Sequence, residues 1–346
     1  MKTVKPFAER LVRWQRIQGR HDLPWQANRD PYRVWLSEIM LQQTQVSTVM
    51  AYFDRFLQSF PTVHALAAAS QDEVLGLWSG LGYYSRARNL HRCAQAVVQD
   101  HGGLFPRSFE VLQTLPGIGP STAAAIASLC FEERVAILDG NVKRVLTRFL
   151  GFGDDLSVGA HERKLWVHAQ SLLPRKPADM PTYTQGIMDL GATVCTPRKP
   201  QCEACPMTSL CAAKALGTPE AFPVKTRKIR RTSDSLWLLL AVSRHGEVLL
   251  QQRPQQGIWA GLYCLPVFES EDALRLALPP KAQTQLAAAP AFKHMLTHKD
   301  LHLHPCVVRC ASSSAQWPSG EWVDAKAWPA LGLPAPVRSL LLAHAT

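Results

Sequence analysis

The sequence predicts a chain of two parts, the first built only from helices and the second combining helices with a β-sheet. Three observations support this prediction. Apolar residues recur at helical spacing through most of the chain up to about residue 190. Four cysteines then follow in the pattern C-x6-C-x2-C-x5-C. A strongly basic stretch comes next, and beyond it two strand-like runs begin at Leu236.

Length and charge narrow the class of protein. The 346 residues are enough for two or three domains with full hydrophobic cores. The formal net charge of +11 favours a polyanionic partner such as nucleic acid. The first residues are charged rather than apolar, and the chain has no run of about 20 apolar residues. We therefore expect a monomer with no membrane contact, located in the cytoplasm and associated with the nucleoid if the source is bacterial.

The first helices can be read from periodicity and capping. Asp30 and Pro31 predict the start of a helix, because Asp caps a helix and Pro is tolerated in its first turn. Within this helix Glu38 shares a face with apolar side chains, so we expect burial to raise its pKa. The alternative is a solvated glutamate. An earlier amphipathic helix is predicted over residues 6–17, with its apolar face formed by Phe7, Leu11, Trp14 and Ile17.

Two segments after this helix offer polar or aromatic groups to a partner. Gln42 is either part of an exposed helix terminus or a contact to nucleic acid. Gly80 and Gly82 permit a tight turn immediately before Tyr83 and Tyr84. Tyrosines in such a pair usually pack in a core, but a flat ring beside arginines also suits insertion between bases.

A glycine hairpin precedes an alanine-rich helix. In Leu115–Pro120, Gly117 and Gly119 are free to take positive φ and to expose backbone N–H groups. Ser121 or Thr122 is expected to cap the following helix, whose N-terminus would then suit a phosphate. Further along, Asp139 precedes another helix that is predicted to begin with Val142. Asp139 is therefore either a plain N-cap or a functional carboxylate.

The cysteine cluster predicts a metal site in a reducing compartment. Four thiolates at this spacing can ligate an iron–sulfur cluster or a tetrahedral zinc ion, and both alternatives remain open on spacing alone. The four residues are Cys195, Cys202, Cys205 and Cys211.

The remainder of the chain predicts a linker and a mixed domain. Residues 223–232 are rich in Lys and Arg and predict an exposed linker. The runs Leu236–Val242 and Glu247–Leu250 predict two strands joined by a hairpin at Arg244–Gly246. Further on, four histidines alternate along an apolar segment. This alternation fits strand faces as well as it fits a zinc site, and we expect no metal here; the four are His294, His298, His302 and His304.

Several of these segments resemble a single family. LPGIGPSTAAAIA resembles the helix-hairpin-helix of the endonuclease III and MutY superfamily of base-excision DNA glycosylases. SEIMLQQTQ and LDGNVKRV resemble the segments that carry that family's catalytic Glu and Asp. The cysteine spacing resembles the family's [4Fe–4S] loop, and WAGLYCLP resembles part of the Nudix-like domain of MutY-type adenine glycosylases. The resemblance covers nearly the whole chain.

The resemblance also implies a domain organisation. A helical glycosylase region would occupy residues 1–222, with a helix-hairpin-helix subdomain at about 30–134 and a cluster subdomain formed by 1–29 and 135–222. The basic linker would occupy residues 223–232. An α+β Nudix-like domain that recognises 8-oxoguanine would occupy residues 233–346. ESEDALRLAL lacks the glutamate pattern of a Nudix hydrolase, so this domain is expected to bind rather than to hydrolyse.

The implied activity is hydrolytic removal of adenine mispaired with 8-oxoguanine, or with guanine, in double-stranded DNA, without strand cleavage. In this resemblance the adenine leaves the stack, Glu38 protonates it, and Asp139 stabilises or traps the sugar cation. The recognition loop His-x-Phe-Ser-His is present as residues 294–298 with Leu296 and Thr297 in place of Phe and Ser. The residues implied are Glu38, Asp139, Asn141 and Ser121 for catalysis, Gln42, Tyr83, Gly117, Gly119 and Lys143 for DNA, Thr297 and His298 for 8-oxoguanine, and the four cysteines for the cluster.

Three rival functions remain. An endonuclease III-type enzyme would excise oxidised pyrimidines and cut the strand, but it carries a lysine where this chain has Ser121. Lys143 could still form an incidental Schiff base with an opened sugar. A non-catalytic iron–sulfur DNA-binding protein would not need both Glu38 and Asp139 in family context. A nucleotide hydrolase would need the glutamate-rich helix that the second part lacks.

Overall fold

In the computed structural model, residues 4–227, 230–310 and 317–344 are described, and they form two compact units. The first unit contains the described residues up to 67 together with 92–227. The second contains residues 68–91 together with the described residues from 230 onward. The sequence pattern did not predict that residues 68–91 would join the C-terminal part. Residues 228 and 229 of the predicted linker lie outside the described residues.

The first unit is helical. In chain order its helices are α1 (Val4–Gln18), α2 (Pro31–Leu41), α3 (Val46–Ser59), α4 (Val63–Ala68), α7 (Phe109–Leu112), α8 (Pro120–Phe131), α9 (Gly140–Leu150), α10 (Gly159–Ser171), α11 (Met180–Asp189) and α12 (Ala212–Ala215). A π-helical turn, Leu190–Val194, follows α11. Helices α5 (Gln71–Trp78) and α6 (Ser85–His101) lie between α4 and α7 in the chain, and α5 and the start of α6 belong to the second unit.

One of the hydrophobic clusters of this unit joins α1 to helices α8–α11. Phe7 and Leu11 are fully buried and Trp14 nearly so, as the helical spacing predicts. Ile17, predicted on the same face, is instead 73% exposed. The helix ends one residue later, at Gln18, so Ile17 lies beyond the part of α1 that packs on the core.

The second unit is a mixed sheet covered on both faces. Its central strands β1 (Thr232–Ser243) and β7 (Lys299–Cys310) are parallel, with Thr232 paired to Lys299 and Ser243 to Cys310. The sheet runs in the order β3-β2-β1-β7-β5, with β4 paired to β1, β6 to β7 and β8 to β2. The remaining strands are β2 (Val248–Gln252), β3 (Tyr263–Cys264), β4 (Val267–Phe268), β5 (Ala287–Ala288), β6 (Phe292–Met295) and β8 (Glu321–Val323).

Successive residues of β1 pack on opposite faces of the sheet. Leu238 and Leu240 pack in the same cluster as Val337 and Leu341 of α15 (Ala335–His344). Leu239 packs on the opposite face with residues of α13 (Glu271–Leu276) and α14 (Pro280–Gln285). Because both faces are covered, β1 reads as a continuous apolar run rather than an alternating one. Among the described residues, no helix is long and apolar enough to cross a membrane.

Candidate active site

Glu38 is held in α2, inside the first unit. The helix begins as predicted, with the Arg33 N–H donating to Asp30 Oδ1 at 2.9 Å and Pro31 in the first turn. Glu38 lines a cavity, and its pKa is raised to about 7, chiefly because burial removes water from the carboxylate and secondly because Asp139 is negatively charged. A carboxyl with this pKa keeps its proton near neutral pH and can donate it.

Asp139 lies at the N-terminus of α9. The Val142 N–H donates to Asp139 Oδ1 at 2.7 Å, so Asp139 is the N-cap and the helix begins at Gly140, two residues earlier than the sequence predicted. Burial raises the pKa of this carboxyl, while the backbone N–H groups of Val142 and Asn141 oppose the rise. The positive charges of Arg144 and Lys143 oppose it as well. These groups limit the rise in the pKa of Asp139, whereas no comparable group among the described residues opposes the effect of burial on Glu38.

The two residues expected to assist these carboxyls act through the backbone. The Asn141 side-chain oxygen accepts from Arg144 Nη2 at 2.7 Å, so its side chain is fixed by Arg144, and it is its backbone N–H that supports Asp139. Ser121 Oγ accepts from the Leu138 N–H at 3.2 Å. Ser121 therefore fixes the chain one residue before Asp139.

The cavity beside Glu38 has a volume of about 350 Å³. Trp25 and Val34 contribute apolar walls, while Gln26 and Gln185 contribute amides. Both side-chain polar atoms of Gln26 are buried, and neither has a hydrogen-bond partner among the described residues. Buried amides are normally paired, so the unpaired amide of Gln26 is an unusual feature of this cavity wall.

A buried carboxylate fixes another part of the cavity wall. Asp189, fully buried, accepts from Arg20 Nε at 2.8 Å and from Gln185 Nε2 at 2.9 Å. Both donors line the cavity. The sequence pattern did not predict Gln26, Gln185 or Asp189 as site residues. The available signal was the single acidic residue within the apolar segment Ile187–Val194.

The glycine hairpin differs in detail from its prediction. Gly117 takes a positive φ of 76°, but Gly119 has a φ of −84° and is itself the N-cap of α8. Ser121 and Thr122 therefore lie inside the first turn and do not cap the helix, because Pro120 occupies its first position. Both glycines are exposed, and a Cβ at Gly119 would meet no atom within 4 Å. Thr122 instead accepts from Gln42 Nε2 at 3.4 Å.

The four predicted cysteine ligands line one cavity of about 30 Å³. Burial and the neighbouring thiols raise the pKa of Cys205 to about 12, so four thiolates here require positive charge. Among the residues described, no three His, Cys, Asp or Glu side chains form a group that would hold a single metal ion. An iron–sulfur cubane needs no such convergence, since each iron takes one thiolate.

Arg148 and Arg144 connect α9 to the cysteine loop. Arg148 is 2% exposed and donates to Thr196 O at 2.7 Å, to Pro197 O at 3.0 Å and to Cys195 Sγ at 3.4 Å. Arg144 Nε donates to Cys195 O at 2.7 Å. Helix α9 thus has Asp139 at its N-terminus and, further along, the two arginines that hydrogen-bond to the cysteine loop.

Lys143 also belongs to α9 but points elsewhere. Its Nζ lies 2.8 Å from Glu162 Oε1 of α10, and the two side chains are 20% and 36% exposed. The ammonium group is therefore paired with a carboxylate in the described structure.

The second unit brings together the aromatic and recognition residues. Tyr83 is 45% exposed, has a positive φ of 48°, and shares a hydrogen bond of 2.9 Å between its hydroxyl and Thr297 Oγ1. Tyr84 O–H donates to Leu333 O at 2.8 Å and so anchors the segment. His298 is exposed beside Thr297, whereas Leu296 packs against the core. A non-glycine residue with positive φ costs about 1–3 kcal/mol and is typical of functional positions.

Comparison with known protein families assigns each region. Residues 36–170 match the model of the HhH-GPD superfamily of base excision DNA repair proteins. Residues 195–211 match the iron–sulfur binding domain of endonuclease III, and residues 237–343 match the NUDIX domain. These matches confirm the predicted fold class and the predicted iron–sulfur cofactor, a [4Fe–4S] cluster.

Individual proteins are similar over the same regions. The adenine DNA glycosylase of Buchnera aphidicola subsp. Acyrthosiphon pisum is 36% identical over 97% of this chain and 96% of its own length. That of Mus musculus is 37% identical over 92% of this chain and 74% of its own length. A thermostable thymine-DNA glycosylase structure is 31% identical, with a TM-score of 0.55 over 62% of this chain and 98% of its own. An endonuclease III–DNA complex, 21% identical with a TM-score of 0.51 over 63% of this chain and 98% of its own, shares the fold.

Proposed function

The chain belongs to the adenine DNA glycosylases of the HhH-GPD base excision repair superfamily, and from this premise we propose that it removes adenine mispaired with 8-oxoguanine or guanine. It binds double-stranded DNA and hydrolyses the N-glycosidic bond without cutting the strand. The observation that carries the proposal is that Glu38, a carboxyl with a pKa of about 7, lines a cavity large enough for a base and interacts with the charge of Asp139. The roles of individual residues below belong to the same proposal.

Glu38 and Asp139 divide the chemistry. Glu38 keeps its proton up to a pH of about 7 and gives it to the leaving adenine. The sugar then carries positive charge, which the Asp139 carboxylate stabilises or captures before water completes the hydrolysis. The charges of Arg144 and Lys143 oppose the rise in the pKa of Asp139 and so favour its ionised form. This separation of two carboxyls by their surroundings is the usual solution for an acid and an anion in one site.

The cavity beside Glu38 receives the adenine. Adenine must leave the duplex before its glycosidic bond can be reached. Its edge presents donors and acceptors, which match the unpaired amide of Gln26 and the fixed amide of Gln185. Trp25 and Val34 supply apolar surface. These contacts offset part of the free energy that is needed to unstack the adenine from the duplex.

The base opposite adenine is recognised by the second unit. Tyr83 offers an exposed ring for insertion between bases, and Thr297 offers a hydroxyl. Because their hydroxyls share a hydrogen bond, the inserting ring and the sensing residue are held in one arrangement. His298 completes the sensing residues. In the first unit, Gln42 reaches into the DNA at the lesion, and the hairpin with Gly117 and Gly119 contacts the phosphate backbone.

The residues around the cysteine cavity fit an iron–sulfur cluster. Four thiols line one cavity, and the buried guanidinium of Arg148 supplies positive charge at Cys195. When bound, the cluster supplies four iron–thiolate bonds that close the loop 195–211. The chain's own contribution is the fastening of this loop to α9 by Arg144 and Arg148.

Single-turnover base release from four matched duplexes tests the function. These contain adenine opposite 8-oxoguanine, adenine opposite guanine, adenine opposite thymine, and thymine glycol opposite adenine. We expect fast adenine release opposite 8-oxoguanine and slower release opposite guanine, with strand breaks only after alkali. Release of thymine glycol with spontaneous cleavage would assign the chain to the endonuclease III type. Absence of release from all four duplexes would leave DNA binding without catalysis.

The pairing of Lys143 with Glu162 predicts how strand cleavage is avoided. A Schiff base forms when a free amine attacks C1′ of the opened abasic sugar and water is lost. The Glu162 carboxylate holds the Lys143 side chain in an ion pair and away from other partners, so Glu162→Gln should release this side chain and increase borohydride trapping of the enzyme on abasic DNA several-fold. The double variant carrying also Lys143→Met is the control and should trap at background level. Unchanged trapping in Glu162→Gln would contradict this role of the ion pair.

A further inference from the structure

A group of charged residues surrounds the turn that carries Thr297 and His298. The turn joins β6 to β7 and is closed by the Leu296 N–H, which donates to Lys299 O at 2.8 Å. The Thr232 N–H, at the start of β1, donates to His298 O at 3.1 Å. The backbone on both sides of Thr297 is thus fixed, while the Thr297 side chain is exposed.

Asp300 is the centre of the charged group. Its Oδ2 lies 2.9 Å from Lys293 Nζ of β6, and its Oδ1 accepts from Arg231 Nη2. Arg231 lies one residue before β1. The Asp300 carboxylate of β7 therefore contacts both a residue of β6 and the residue that leads into β1. The hydrogen bonds from Lys293 and Arg231 lower the pKa of Asp300. The same guanidinium contacts the turn directly, since Arg231 Nη1 lies 3.4 Å from Thr297 O.

Such ion pairs contribute little to overall stability. Arg231 and Asp300 side chains are 41% and 20% exposed, and exposed pairs are worth about 0–1 kcal/mol each. Their effect is on position instead. Recognition groups must be held within about 0.5 Å of their productive geometry. The guanidinium fork fixes the Thr297 carbonyl and the first residues of β7 at the same time.

We propose that Arg231 and Asp300 are positioning residues that set the preference for 8-oxoguanine over guanine opposite adenine. They act through Thr297 and His298 and do not touch the reacting atoms. This inference rests on the proposed function, because it requires that the turn contacts the base opposite adenine. A simple phosphate contact by Arg231 is the alternative, and it would affect all duplexes equally.

The test uses the full-length, cluster-loaded enzyme and the two duplexes with adenine opposite 8-oxoguanine and opposite guanine. Single-turnover rates and dissociation constants are measured for the wild type, Asp300→Asn, Arg231→Met and Arg231→Lys. The matched control is Arg230→Met, which removes the same charge from the neighbouring exposed residue. The rate opposite guanine reports whether each variant is folded and active.

Asp300→Asn and Arg231→Met change the net charge in opposite directions. A change of the same sign in both variants therefore reports the position of the turn and not the electrostatic attraction to DNA. If the charged group positions the turn, Asp300→Asn and Arg231→Met should both lower the ratio of the two rates by about three- to tenfold, the effect of about 0.6 to 1.4 kcal/mol. Arg231→Lys should retain part of the ratio, and Arg230→Met should leave it unchanged.

Other outcomes overturn the inference. If Arg231→Met weakens binding to both duplexes equally and Asp300→Asn strengthens it, Arg231 is a phosphate contact. An unchanged ratio in both variants removes the positioning role. A wild-type enzyme with no preference for 8-oxoguanine would instead contradict the proposed function itself, which is a different result from a preference that these variants leave intact.

Discussion

Glu38→Gln should lower the single-turnover rate of adenine release by about 10²- to 10⁴-fold, the usual contribution of a general acid. Glutamine preserves the shape of the side chain and can donate a hydrogen bond, but it cannot transfer a proton. DNA binding should be nearly unchanged, because Glu38 meets the base in the cavity rather than the phosphates. The matched control is Glu110→Gln, which alters an exposed glutamate of α7 and should leave the rate intact.

The same substitution should stabilise the protein at alkaline pH. The pKa of Glu38 is about 7 in the folded protein against 4.5 as the ordinary value, so the folded state binds more protons between these pH values. The wild type therefore loses stability as the pH rises through this window, by at most about 3 kcal/mol. The Glu38→Gln variant has no titrating carboxyl at this position, so it should not lose stability in this way. Melting temperatures at pH 5 and pH 8 should differ less in the variant, and an equal difference would show that Glu38 is not buried as described.

The rate of base release by the wild type should decrease at both alkaline and acidic pH. The rate is lost above a pH of about 7 as Glu38 ionises, and it is lost at acidic pH as Asp139 is protonated. Because the two carboxyls interact, the two limbs report the pair rather than either residue. A rate that stays constant from pH 6 to pH 9 would contradict the assignment of Glu38 as the acid.

Asp139→Asn should lower the rate of base release by about 10²- to 10³-fold, the scale of one lost electrostatic stabiliser. Asparagine caps helices nearly as well as aspartate, so α9 and the residues that fasten the cysteine loop should remain in place. Asp139→Ala should lose the cap as well, at a cost of about 1 kcal/mol. Both variants should therefore be equally slow, but only Asp139→Ala should melt at a lower temperature.

A second consequence follows from the charge of Asp139. Its negative charge is one of the causes that raise the pKa of Glu38, so Asp139→Asn should move the alkaline limb of the residual activity to lower pH. Iron content and visible absorbance of the cluster should match the wild type and serve as the control. If Asp139→Asn retains more than a tenth of the wild-type rate, Asp139 is a structural cap and not part of the chemistry.

Local signals predicted most of the fold because they depend on neighbouring residues. The start of α2 at Asp30 and Pro31, the burial of α1, and the two strands joined at Arg244–Gly246 all follow from capping, spacing and turn chemistry. The cap of α8 was wrong, since Pro120 takes the first helical position and moves Ser121 inward. The beginning of α9 was wrong by two residues because Asp139 itself is the cap.

The site depended on contacts between distant segments, which periodicity does not report. Family resemblance indicated Glu38 and Asp139. It gave no signal for Gln26, whose buried amide is unpaired, or for Arg144, whose partners lie about 50 residues away in the chain. The resemblance implied a catalytic role for Asn141 but gave no signal that its side chain is fixed by Arg144 and that its backbone N–H supports Asp139. These contacts of Arg144 form only when α9 packs against the π-helical turn, so the sequence alone does not predict them.

The membership of residues 68–91 in the second unit bears on how the protein is made. Trp78 and Leu75 of α5 are fully or almost fully buried, and Leu75 packs where Gly332 approaches it. During synthesis Leu75 emerges about 250 residues before Gly332, which at about 5–20 residues per second is a delay on the order of tens of seconds. Throughout that interval Leu75 lacks its contact with the segment around Gly332. A chain truncated after the cysteine loop never gains this contact, so its α5 should be less stable than α5 of the full-length protein.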